Sequence, residues 1–309
     1  MKANILKLRL GTRKSPLAMA QAHEARARLC KAHGWDESSI ELVPVVASGD
    51  KVQDRPLAEI GGKALWTKEL DGWLAEGRID ASVHSMKDVE TIRPDFLAIA
   101  AILPRADVRD VLLGADSIAA IPHGARIGTS APRRAAQMLH NRPDCSIVSF
   151  RGNVATRMAR LEAGEADVML LAAAGLERLG QSSAGAPIPL DQWLPAPAQG
   201  AIGIECRADD TQTREWLAAI DHAPSHDAVM AERALLEALG GNCHSPIAVL
   251  TRLEDGQLAM QAAIFSADGA ERVAGEARFA RGDVYGPQGL AADLLLRAGP
   301  AVKALFGIG

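Results

Sequence analysis

Leu6, Leu8 and Leu10 alternate with Lys7 and Arg9, the period-two pattern of a half-buried strand. Gly11-Thr12 turns the chain, Ser15 is placed to cap, and Pro16 opens a helix predicted to run to about Ala32. Apolar runs at 41–46, 80–85 and 96–103 predict further strands. Residues 67–77 predict a helix with Leu70, Trp73 and Leu74 on one side and Gly77 at its end. Strands alternating with helices imply βαβ units and a mostly parallel sheet.

After Pro104 the pattern restarts: VLLG, ARIGT, a helix, SIVSF, a helix over 153–163, then DVMLLAAA. Gly11-Thr12-Arg13-Lys14-Ser15-Pro16 and Gly128-Thr129-Ser130-Ala131-Pro132-Arg133 both join a strand to a helix through Gly-Thr and a Pro. That weak internal echo predicts two similar α/β lobes, each aiming a helix N-terminus at a ligand cleft beyond the strand ends. The Pro-, Gly- and Ser-rich stretch 182–200 reads as an irregular return path to the first lobe, where AIGIEC (201–206) forms a strand and TREWLAAI a helix. A boundary at His222-Ala223-Pro224-Ser225, a helix over 226–239, three strand-like runs (AVLTRL, LAMQAAIF, RVAGEARF) and a last helix predict a third, α+β unit.

One helix start is unusual. Ser130 reads as its N-cap and Pro132 sits in its first turn, yet Arg133 and Arg134 fall in that same turn, where the helix dipole disfavours cations by roughly 0.3–1 kcal/mol each. An anion beside them would reverse that penalty. Arg13, Arg151, Arg157 and Arg178 also follow strands, and guanidinium forks suit carboxylates or phosphates. The chain as a whole is not basic. A net charge of −4 and 4% aromatic residues exclude a general nucleic-acid binder, so anion recognition is local.

The remaining composition narrows the class. Lys7 and Arg9 interrupt the N-terminal apolar stretch, and no apolar run approaches a membrane span of about 20 residues, which predicts a cytoplasmic chain without membrane contact. Cys30, Cys145, Cys206 and Cys243 are widely spaced, as for reduced thiols. Cys30 and Cys206 read as structural and Cys145, beside Pro143-Asp144, as a surface residue. Gly61-Gly62-Lys63 lacks the Ser or Thr of a P-loop, Pro224 breaks the His222/His226 pair, and no hydrolase or zinc motif occurs, so no metal is expected. Two motifs keep two readings each. In VHSMKDVE (83–90), Lys87-Asp88 at a strand end is either a surface ion pair or a carboxylate clamp beside a carboxylate facing developing positive charge. Adjacent extended residues point opposite ways, so the pair need not neutralise itself. In LGGNCHSP (239–246), Cys243 is either a small packed hydrophobe or an accessible attachment thiol.

Taken together, GTRKSPLA (11–18), GGKALWTKELD (61–71), VHSMKDV (83–89), IGTSAPRR (127–134), RGNVATR (151–157), AAAGLERLG (172–180), PAPAQGAIGIECR (195–207) and GGNCHSPIA (240–248) resemble the porphobilinogen deaminase (hydroxymethylbilane synthase) family, in family order along nearly the whole chain. The resemblance implies two periplasmic-binding-protein-like α/β lobes with mostly parallel mixed sheets: lobe 1 over 1–103 and 199–220, lobe 2 over 104–198. A smaller α+β domain (221–309) carries Cys243. It implies an enzyme of tetrapyrrole and heme biosynthesis, a monomeric transferase joining four porphobilinogen molecules with loss of ammonia on a dipyrromethane cofactor, which is bound through a thioether to Cys243. Asp88 is the implied catalytic residue. Lys87, Thr129, Ser130, Arg133, Arg134, Arg151, Asn153 and Gln199 are implied to hold the cofactor. Arg13, Ser15, Arg157, Arg178 and the loop lysine Lys63 are implied to bind substrate. The sequence departs from the family at Ala131-Pro132 (commonly Ser-Leu), which removes one hydroxyl contact, and at Trp66 and Glu90 (commonly Phe and Pro). The rival reading is a two-lobed carboxylate-binding sensor without chemistry. It leaves Cys243 and Asp88 without a task.

Overall fold

Leu8 and Leu10 point into a core from strand β1 (Leu8–Arg13) of a computed structural model, which describes residues 6–45 and 67–307. Ser15 caps helix α1 (Pro16–His33), its hydroxyl accepting from the Ala18 N–H at 3.4 Å, and Gly34 ends the helix in the left-handed conformation. The chain continues through β2 (Ile40–Val45), α2 (Lys68–Ala75), β3 (Ala81–Ser85) and β4 (Leu97–Ile102). Strand β10 (Ile202–Arg207) comes back much later to lie between β3 and β4, giving the order β2-β1-β3-β10-β4. β10 pairs antiparallel with both neighbours, so four strands share one direction and one is reversed.

The second sheet repeats this plan. Its strands are β5 (Asp110–Leu113), β6 (Arg126–Gly128), β7 (Ser146–Val148), β8 (Val168–Ala172) and β9 (Ala186–Pro187), in the order β7-β6-β8-β5-β9 with β5 reversed. Helices α3 (Pro132–Asn141), α4 (Val154–Glu162) and α5 (Ala173–Arg178) follow β6, β7 and β8. Thus β1 corresponds to β6 and β3 to β8, and the Gly-Thr echo falls on equivalent strand ends. Both glycines are there for space: a Cβ on Gly11 would strike Ile79, and one on Gly128 would lie 2.7 Å from the Phe150 ring.

Helix α6 (Thr211–Ala218) is followed by α7 (Ala223–Ala238), which starts three residues before the expected 226. Pro224 sits in its first turn, where a missing N–H costs nothing. An antiparallel meander, β11 (Ile247–Glu254), β12 (Gln257–Phe265) and β13 (Arg272–Ala280), then packs its apolar side chains with those of α7, α8 (Tyr285–Arg297) and α9 (Pro300–Lys303) in a core of its own. The described chain forms two compact units, Met1–Ala106 with Ala201–His226 and Asp107–Gly200 with Asp227–Gly309. The meander therefore belongs to the same unit as the second sheet. Cys145 is buried in the core of that sheet beside Met138 and Ile127, which corrects its reading as a surface residue.

In the first unit Glu205 of β10 is fully buried. It accepts from Arg93 Nε at 2.8 Å and lies 3.1 Å from His84 Nε2. Arg93 also pairs with Asp71 and with Glu90, whose carboxylate accepts from Thr67 as well, so the departure at Glu90 is absorbed into this network. Burial alone would push the Glu205 carboxyl up, but His84 and Arg93 together bring it down to about 2. A depressed carboxylate stabilises the fold above its unfolded pKa and loses that contribution as pH falls through the folded one. Glu205→Gln is expected to cost on the order of 3 kcal/mol at neutral pH. Urea midpoints of the two proteins should converge as pH drops from about 5 toward 2. A gap that stays constant over that range would contradict the pairing.

Candidate functional site

In the first unit the site residues cluster where neighbouring parallel strands end. Arg13 closes β1, Ser15 caps α1, and a 3₁₀ turn, Met86–Asp88, follows β3 directly. Lys87 and Asp88 thus share a helical turn, which corrects the reading of both as extended residues pointing opposite ways. The turn is anchored from below. Met86 is buried against Gly203 of β10, where any Cβ would collide with its sulfur, and the Met86 N–H donates to Ala201 at 3.1 Å. Lys87 and Asp88 remain half-buried above that anchor. Lys63 and Trp66 lie outside the described residues.

In the second unit the same strand ends carry the other candidates. Thr129 and Ser130 follow β6. Pro132 occupies N1 of α3, which makes Ala131 the cap residue in place of the expected Ser130. Ala131 has no side chain to cap with, so the departure from the family falls on the cap itself. The Ser130 hydroxyl donates instead to the Phe150 carbonyl at 2.7 Å. After β7, Asn153 caps α4 by accepting from the Thr156 N–H at 2.9 Å, and Arg157 Nε donates to the Gly152 carbonyl. Arg178, at the end of α5, donates to the Gly200 carbonyl at 3.1 Å.

Arg133 and Arg134 are both buried, and the anion beside them belongs to the chain. Asp110, wholly buried at the start of β5, accepts from Arg133 Nη1 at 2.5 Å and from Arg134 Nη2 at 2.6 Å. Each charge-assisted bond contributes roughly 1.5–3 kcal/mol, which outweighs the dipole penalty. Burial would raise the Asp110 carboxyl, but the two guanidinium groups hold it well below the usual carboxylate range. At Arg133 the balance is reversed: burial outweighs Asp110, and its pKa is lowered. Gln199 joins through its amide, which donates to Val108 O at 2.7 Å and Asp110 Oδ1 at 3.0 Å. The sequence reading missed Asp110 and Trp193. An acid opening the apolar run DVLL was the available signal for Asp110.

Two cations against one carboxylate leave a surplus positive charge. Among the described residues two buried guanidinium donors also lack an acceptor, Arg133 Nε and Arg151 Nη1. Buried N–H groups in folded proteins are nearly always satisfied, so both fit an added carboxylate such as the acidic side chains of a dipyrromethane. Cys243 lies in the same unit, in the loop between α7 and β11 that Gly240 opens in the left-handed conformation, and it is exposed. Cys206, by contrast, is buried, and burial pushes its thiol up to about 11. Among the described residues no cluster of side chains could hold a metal ion. No described helix is long and apolar enough to cross a membrane.

Two α/β sheets of one topology, each with basic side chains at its strand ends, and an exposed thiol in the second unit define the class as a two-sheet α/β protein with the groups that polycarboxylate binding calls for. The family model for the dipyrromethane cofactor-binding domain of porphobilinogen deaminase matches residues 8–215, and that for the enzyme's C-terminal domain matches 227–294. The chain is 56% identical to the porphobilinogen deaminase of Sphingopyxis alaskensis over 97% of this chain and 96% of that one. It is 49% identical to the Paracoccus denitrificans enzyme (87% of each) and 45% identical to the chloroplastic enzyme of Oryza sativa (86% of this chain, 76% of that one). The chain belongs to the porphobilinogen deaminase family.

Proposed function

We infer that the chain is the transferase that joins four porphobilinogen molecules head to tail, with loss of ammonia, to give the linear tetrapyrrole hydroxymethylbilane. The observation that carries this reading is the under-neutralised guanidinium pair at Asp110, with donors of Arg133 and Arg151 lacking acceptors among the described residues, in the unit that bears Cys243. Cys243 would hold the dipyrromethane through a thioether. Lys87, Thr129, Ser130, Arg133, Arg134, Arg151, Asn153 and Gln199 would hold its acidic side chains and rings. When bound, that group supplies the pyrrole α-carbon from which the chain is extended.

Each pyrrole carries two carboxylates, so negative charge accumulates as the product grows. Arginine suits such a site because it stays charged whatever surrounds it. Arg13, Ser15, Arg157 and Arg178, with Lys63, would orient the acidic arms of the incoming substrate. Loss of ammonia and attack by the α-carbon both pass through cationic pyrrole character. A fixed carboxylate stabilises that charge without reorganising, and Asp88 takes this role, with proton transfer as a second one. In this reading lobe 1 (1–103, 199–220) carries Asp88, lobe 2 (104–198) the arginines, and residues 221–309 the attachment cysteine.

Intact mass spectrometry tests the reading. Purified protein should be heavier than its sequence by one dipyrromethane, turn pink with an aldehyde reagent, and release ammonia from porphobilinogen. Protein of sequence mass that releases no ammonia would return the chain to the sensor reading.

A further inference from the structure

The buried cluster around Asp110 treats its two arginines differently. Arg134 is consumed internally: Nε and Nη2 donate to Asp110 Oδ1 at 3.2 and 2.6 Å, and Nη1 donates to the Leu170 carbonyl of β8 at 3.0 Å. Arg133 donates from Nη1 to Asp110 Oδ2 and to the Leu194 carbonyl, and from Nη2 to Gln199 Oε1 at 3.4 Å, while its Nε has no acceptor among the described residues. The second donor to Asp110 Oδ2 is the indole N–H of Trp193, at 2.7 Å. Trp193 is fully buried, with the Arg133 guanidinium 5.9 Å from its ring centroid.

We propose that Asp110 and Trp193 are positioning residues for Arg133, with Arg134 as the counter-charge that keeps the carboxylate in place. Four elements build the cluster: β5 supplies the carboxylate, α3 both arginines, the 193–199 segment the indole and Gln199, and β8 the carbonyl that holds Arg134. A carboxylate held by one arginine alone would rotate about its side-chain torsions. With two oxygens fixed by donors from three directions, its geometry is set, and so is the direction of the Arg133 fork. The acceptor completing Arg133 Nε is a carboxylate of the covalently held dipyrromethane, so this proposal rests on the function proposed above.

Removing the Asp110 charge would leave two buried cations unmatched, and Asp110→Asn is expected to fold poorly. The decisive variant is therefore Trp193→Phe, which keeps an aromatic ring in the core but removes the indole N–H together with part of the ring volume, so the double variant with Arg133→Met is what separates the lost hydrogen bond from lost packing. Cofactor-free chains produced in cells unable to make porphobilinogen are supplied with porphobilinogen, and adduct formation is followed by intact mass. Trp193→Phe should acquire the adduct about tenfold more slowly, the effect of one misdirected charge-assisted hydrogen bond. Arg133→Met should be slower still. Adding Trp193→Phe to Arg133→Met should slow loading no further, because the indole acts through the guanidinium. Loading of Trp193→Phe at the wild-type rate, or an undiminished effect of Trp193→Phe in the Arg133→Met background, would overturn the assignment. A wild-type chain that never gains the adduct would instead remove the functional reading, and this proposal with it.

Discussion

Cys243→Ser protein should have the mass of its sequence, with no adduct, and turnover reduced on the order of 100-fold or more. Thioether formation needs a thiolate, and a serine hydroxyl is far too weak an acid to replace it at neutral pH. The loop itself should survive the change. Asn242 Oδ1 accepts from the His244 N–H at 2.8 Å, Ser245 Oγ accepts from the Asn242 N–H at 3.1 Å, and Gly241 is packed against Ile247 and Leu236. None of these contacts uses the sulfur. Cys30→Ser, in α1, should retain the adduct and serves as the control. A serine variant at 243 that is still heavier than its sequence would move the attachment elsewhere.

Asp88→Asn should separate binding from chemistry. The amide matches the carboxylate in shape but carries no charge, has an NH2 donor in place of one acceptor oxygen and cannot take up a proton, so the adduct should be present by mass and KM little changed. Turnover should fall by about 100- to 1000-fold, the range for removing one preorganised electrostatic partner of a transition state. The anchored turn sharpens the test. Met86 is fixed beneath Gly203 and by Ala201, so the turn has little freedom to bring another group into place. Near-normal turnover in Asp88→Asn would reject the catalytic assignment.

Much of the scaffold was legible because its signals are local. Ser15-Pro16 set the start of α1, the alternation of Leu8 and Leu10 fixed which side of β1 is buried, and Gly-Thr marked equivalent strand ends in two sheets. The helix that begins with Arg133 and Arg134 resisted because its answer is not local. Asp110 lies more than twenty residues upstream, and only the pairing of β5 with β8 brings it under α3. The expected cap at Ser130 failed for a short-range reason that a pattern does not weigh: Pro132 fixes the first helical position and so shifts the cap by one residue. Cys145 follows Pro143-Asp144, a polar turn context, yet packing of the second sheet buries it. Glu205 reads as one polar residue in an apolar strand. Its importance appears only when Arg93 and His84 converge on it from other segments.

The late strand β10 bears on how the chain is made. Residues 110–187 contain all five described strands of the second sheet, so that sheet can form as soon as they have left the ribosome. The first sheet cannot do so. Its β3 and β4 remain two unjoined edges until residues 202–207 emerge, after all the strands of the second sheet have been synthesised. During translation, of the two five-stranded sheets the one begun first is therefore the one completed second, and its exposed strand edges are the place where a nascent chain of this design is most open to mispairing or to capture by a chaperone.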